Sequence, residues 1–167
     1  MLQMPPTVQK AMIAQFTFER FSADVYYALS TALDTINLVG FGSYMSKQAA
    51  EEREHAHKFA SFLADRDVRP VVEAMPAPVV PTWASALDAG GACFLAALEH
   101  EYKVTEQIHA LYDLAEEMDD KPTCEFLLWF IHEQVEEVKT LDEWMTRFTL
   151  ASGNGAAILD LDQELRA

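Results

Sequence analysis

Glu52 and His55 stand three residues apart inside the run Glu51-Glu52-Arg53-Glu54-His55, so on a helix both side chains point the same way. Their face continues in both directions as Met45, Ala49, Phe59 and Leu63, an apolar stripe interrupted by two groups that can bind a metal. An ionised carboxylate turned toward a helix-bundle core costs several kcal/mol unless it is paired, protonated or bound to a cation. One Glu-x-x-His pair is a common surface feature. Its meaning depends on whether other segments interrupt their stripes in the same way.

Three others do. Glu19 lies on a face with Met12, Phe16, Ala23, Tyr26 and Leu33; Glu101 lies with Phe94, Leu98, Val104, Ile108 and Leu111. Gln134 and Glu137 lie with Leu127, Phe130, Leu141, Trp144 and Phe148. At 1.5 Å per residue the polar members of each hairpin, the first helix with the second and the third with the fourth, fall at the same height to within about a turn. Four carboxylates, one imidazole and one amide oxygen thus converge near mid-bundle. This hard, oxygen-rich set suits two bridged cations, iron best, and no group of thiolates is present to favour structural zinc. A hydrogen-bonded network in a purely structural bundle is the competing reading. It is expensive, because His55 is the one candidate positive partner for four buried carboxylates.

The elements that must position these groups are all helical. Periodicity predicts helices over Thr7 to Asn37, Phe41 to Arg66, Trp83 to Met118 and Thr123 to Leu150, with a short fifth over Ala156 to Leu165. Gly40 and Gly42 read as a tight turn, and Pro122 suits the first turn of the fourth helix. Between Asp67 and Thr82, Pro70, Pro76, Pro78 and Pro81 rule out a regular helix. A helix of ~25 residues is about 37 Å long, and ~15 extended residues reach about 50 Å. The connector can therefore return along the whole bundle, so the expected fold is all-α: a four-helix bundle with one long crossover between helices 2 and 3, the ferritin-like arrangement. Residues 1–150 form the bundle in this reading. Residues 151–167 form a tail whose apolar side, Ile158, Leu161 and Leu165, must pack against the bundle or against other subunits, with a subunit contact the favoured expectation.

Composition narrows the function classes. With 12 basic against 27 acidic residues the formal charge is -15, which argues against general nucleic acid binding and favours attraction of cations. No apolar run approaches the ~18 residues of a membrane span, and the start lacks a signal-peptide pattern, so no membrane partner and a cytoplasmic location are expected. Cys93 and Cys124 form neither a disulfide framework nor a Cys-x-x-Cys pair and read as reduced packing residues.

The order Glu19, Glu52-x-x-His55, Glu101, Gln134-x-x-Glu137 resembles the bacterial non-haem ferritins. So do the segments Glu99-His100-Glu101, Phe126-Leu127-Leu128-Trp129 and Ser152-Gly153-Asn154-Gly155, and the similarity runs from about Met4 to Leu165. The resemblance implies a ferroxidase storing and detoxifying iron: two Fe(II) per centre are oxidised by O2 or H2O2 and mineralised in a hollow homo-oligomer, a 24-mer in that family. It implies a first site and bridges from Glu19, Glu52, His55 and Glu101, and a second from Glu101, Gln134 and Glu137. A third, outer iron site would use Glu51, Glu133 and Glu136 with Glu137 shared, although a solvated acidic face explains those three as well. Tyr26 and Trp129 read as core packing by spacing, whereas the resemblance implies electron-supplying aromatics beside the centre. Haem is not expected, since Arg53 stands where bacterioferritins place their ligating Met. Two further function classes compete, a passive iron-binding shell and a di-iron oxygenase acting on an organic substrate.

Overall fold

A computed structural model describes residues 3–166. Its helices are α1 (Pro6–Asp34), α2 (Val39–Asp65), α3 (Ala86–Glu117), α4 (Lys121–Ala151) and α5 (Gly155–Glu164). Helices α1 and α2 form one hairpin, α3 and α4 the other, and α1 packs on α3. The connector between Asp65 and Ala86 spans the bundle without regular structure. Every residue named above for the four apolar stripes is buried. The core is nevertheless split in two: one apolar cluster gathers Leu33, Phe41, Phe94 and Trp144, the other Met12, Phe59, Ile108 and Phe130. The polar positions of the four stripes fall between them.

Two local expectations are corrected. The tight turn is not made by Gly40 and Gly42, which lie in the first turn of α2. Chain reversal occurs over residues 35–38, where Asn37 adopts φ 63°, a left-handed conformation that Asn tolerates better than most residues. The glycines instead allow close approach. A Cβ on Gly42 would stand 2.3 Å from Asp34 Oδ1, and one on Gly40 would stand 1.7 Å from the Asp162 carbonyl oxygen. Helix α3 starts at Ala86 rather than Trp83, because Ser85 is extended (φ -151°, ψ 164°) and its hydroxyl donates to Asp88 at 2.8 Å.

The apolar side of α5 finds a partner within the chain itself. Ile158 is buried and Leu161 and Leu165 pack beside it against the chain's own bundle, on the cluster containing Phe41 and Phe148. A buried carboxylate secures this docking. Asp162 Oδ1 accepts the Phe41 backbone N–H at 2.9 Å, and Oδ2 accepts from Arg166. Asp162 thereby caps the N-terminus of α2, whose own N-cap residue, Leu38, offers no side-chain acceptor. Gly40→Ala cannot keep this contact, since backbone meets the new methyl group. We expect it to cost about 1–3 kcal/mol and to raise hydrogen exchange in α5 selectively, as measured by denaturant titration and exchange mass spectrometry.

Candidate metal centre

The six inner residues foreseen from the stripes are all brought into one buried layer: Glu19, Glu52, His55, Glu101, Gln134 and Glu137 are between 0 and 7% exposed. Each hairpin supplies half. Glu19, Glu52 and His55 place one ligand atom each within 4.8 Å of the others. His55 Nδ1 lies 3.5 Å from Glu52 Oε2, and Gln15, one turn before Glu19, donates to Glu19 Oε1 at 2.8 Å. Glu19 Oε2 and Glu52 Oε2 are buried with no hydrogen-bond donor among the described residues. Two facing carboxylates in this state need a cation or a shared proton. Burial first and mutual repulsion second push the Glu19 carboxyl well above its usual range; Glu52 is pushed up by burial and then by Glu101.

The other half is organised differently. Glu101 accepts from the Tyr26 hydroxyl at Oε1 (2.7 Å) and from Gln134 Nε2 at Oε2 (2.9 Å). Both oxygens of Glu137 accept from Gln48 Nε2, at 3.3 and 3.1 Å. Burial raises Glu101 despite these donors, and burial followed by Glu101 and Glu51 takes Glu137 up to about 8. The layer is thus an acidic pocket with His55 as its imidazole, fitted by its orphaned oxygens to hard divalent cations.

A second group lies one layer outward. Glu51 and Glu133 approach His55 to within the same 4.8 Å, whereas Glu136 is exposed and outside that group. Expected core packing holds for Tyr26, which is fully buried, and fails for Trp129, which is 40% exposed. Trp129 meets the His55 ring edge-on at 5.5 Å and carries the Lys58 ammonium over its own face at 4.2 Å.

Comparison with known proteins decides the family. The ferritin-like domain family matches residues 9–151. The chain belongs to the ferritin-like family. It is 30% identical to the bacterial non-heme ferritin of Staphylococcus aureus (strain USA300) over 158 residues, 95% of this chain and 92% of the relative. Identity to that of Bacteroides fragilis (strain 638R) is 32% over 154 residues, 92% and 93% of the two chains. Among solved structures, an open pore ferritin from the hyperthermophilic archaeon Archaeoglobus fulgidus superposes with TM-score 0.91 at 33% identity, covering 98% of both chains.

In this ferritin-like chain, sequence reasoning missed three buried polar groups around the layer. Gln15 and Gln48 each stand four residues before an inner Glu, a repeated Gln-x-x-x-Glu spacing that could have signalled them. His100 is the third. Its Nε2 lies 2.7 Å from Ser22 Oγ, its ring stacks on Phe18 at 5.2 Å, and burial lowers its pKa to about 4. Tyr44 carries a further signal: its ring stacks on Phe94 at 5.0 Å, while its buried hydroxyl has no partner among the described residues. Removing an unsatisfied hydroxyl relieves a desolvation cost. Tyr44→Phe is therefore expected to leave stability unchanged or raise it by about 1 kcal/mol, read from the denaturation midpoint.

A groove of about 510 Å³ between α3 and α4, lined by Tyr102, Ile131, Val135 and Val138, runs down to Gln134. It stops there, because the Gln134 amide is buried and engaged by Glu101 and Thr105. Its lining includes Gln134 and, among the described residues, none of the four inner carboxylates.

Proposed function

We propose that this chain stores and detoxifies iron by oxidising Fe(II) to Fe(III) in the buried carboxylate layer and depositing the product inside a hollow homo-oligomeric shell. The observation that carries the reading is the pair of donorless oxygens, Glu19 Oε2 and Glu52 Oε2, grouped with His55 midway between two apolar clusters of a ferritin-like bundle. Iron is the substrate. Glu19, Glu52 and His55 take one Fe(II), Glu101 bridges, and Gln134 with Glu137 take the second. Each ion gives up one electron; O2 accepts both with two protons and becomes H2O2, or H2O2 accepts them and becomes water.

The chain's own residues set the conditions for that step. Carboxylates favour Fe(III) over Fe(II) by charge, while the neutral Gln134 amide adds a ligand without adding charge, which helps the product leave. Tyr26 donates to Glu101, so electron loss from its phenol has a proton acceptor at 2.7 Å. Glu51 and Glu133 with His55 supply an outer site on the way out of the layer, and the exposed Glu136 adds negative charge beside it. The net charge of -15 supports accumulation of cations at the chain's surface. The shell is a 24-mer in this reading, with α5 contributing its remaining exposed surface, Leu159 included, to subunit contacts.

The test adds Fe(II) in air at two per chain, follows oxidation, and then sizes the product by gel filtration. Fast oxidation with iron co-eluting in a large hollow particle is expected. Fast oxidation by a small oligomer that retains no iron would favour an oxygenase, and slow uptake unaffected by His55→Ala would favour a passive shell.

A further inference from the structure

The repeated Gln-x-x-x-Glu spacing has two different outcomes. Gln15 donates to the Glu of its own helix and ties one oxygen, leaving Glu19 Oε2 free. Gln48 passes over Glu52 on α2 and crosses to α4, where its one amide nitrogen reaches both oxygens of Glu137. Glu52 consequently keeps a free oxygen, and Glu137 keeps none. The two halves of the layer therefore differ in readiness. The triad of Glu19, Glu52 and His55 is open to a cation, whereas Glu137 faces a neutral donor.

We propose that Gln48 is a positioning residue: it holds the Glu137 carboxylate toward α2 and thereby sets the affinity of the layer for its second divalent cation. The inference rests on reading the layer as a two-cation centre. A cation drawn between Glu101 and Glu137 must turn the Glu137 carboxylate away from the amide, and the hydrogen bonds lost, being made to a charged acceptor, weigh against binding. The first cation meets no such opposition. Gln48 is buried at a position where α2 could have carried an apolar residue, and Glu137 is the partner its amide is given. Its side chain touches the ligand rather than the metal, so its effect must pass through Glu137.

That dependence makes the proposal testable without turnover. The assembled, metal-free protein is titrated calorimetrically with Zn(II), a redox-silent cation, as wild type, Gln48→Leu, Glu137→Gln and the double variant. Gln48→Met, which keeps length and removes the donor, stands in if the Leu variant does not assemble. In Gln48→Leu the first binding event should hold within about twofold and the second tighten by about tenfold, the scale of one charge-assisted hydrogen bond. In the Glu137→Gln background the same substitution should change nothing. An unchanged or weaker second event in Gln48→Leu, or an equal effect without the Glu137 carboxylate, overturns the proposal. Fewer than two Zn(II) per wild-type chain, or binding indifferent to Glu52→Ala, overturns the two-cation reading itself and is recognisable as such.

Discussion

His55→Ala is expected to lower the initial rate of aerobic Fe(II) oxidation, at two Fe per chain, on the order of a hundredfold or more, the scale expected when a ligand is removed rather than one of its outer-shell partners. Its imidazole belongs both to the inner group with Glu19 and Glu52 and to the outer group with Glu51 and Glu133. Removing it takes the nitrogen ligand from both and leaves facing carboxylates that hold a proton more readily than Fe(II). The fold should survive, since the side chain contributes an edge-on contact to Trp129 and Phe130 rather than a large apolar volume. Circular dichroism and particle size are the controls. A variant that assembles normally and oxidises Fe(II) at the wild-type rate would remove the inner layer from the chemistry.

The second large effect concerns pH. In the metal-free fold Glu19, Glu52, Glu101 and Glu137 all hold protons more tightly than an ordinary Glu at 4.5, chiefly through burial. The unfolded chain gives these protons up near 4.5, whereas folded Glu137 keeps its proton to about 8. Proton binding therefore stabilises the fold fully below about 4.5, and this contribution is lost as pH rises through about 8. For Glu137 alone the loss is at most roughly 5 kcal/mol. His100 acts in the opposite sense lower down: its pKa is lowered from 6.5 to about 4, so its contribution is present above 6.5 and lost toward 4. The clearest window is accordingly pH 6.5 to 8. There the thermal midpoint of the metal-free protein should fall, and a divalent cation, which replaces the protons, should restore it increasingly with pH. A midpoint that stays level or rises across this window without metal would mean that the carboxylates are already ionised in the fold.

Much of the architecture was legible because burial and helical period leave the same mark on a sequence. The stripes of α1 to α4 gave the four long helices, and the proline-bearing connector gave the crossover. The six inner ligand candidates announced themselves as polar breaks in those stripes, and all six are buried together. Boundaries were less legible where a tertiary contact chose them. Gly40 and Gly42 look like turn residues in any sequence, and only the approach of Asp34 and Asp162 reveals that they are there for want of a Cβ. The apolar side of α5 identifies a buried face without saying what covers it; packing against Phe41 and the Asp162 hydrogen bond assign it to the chain's own bundle.

What the sequence determined by itself was the set of groups and their heights along the helices, because rise and period are local properties of the backbone. What the tertiary structure alone decided was which oxygen is left without a donor. Gln15 and Gln48 share one spacing, yet one pairs within α1 and the other crosses from α2 to α4. That choice depends on the distance between helices, a quantity set by the packing of the two apolar clusters and by nothing within a single turn of helix.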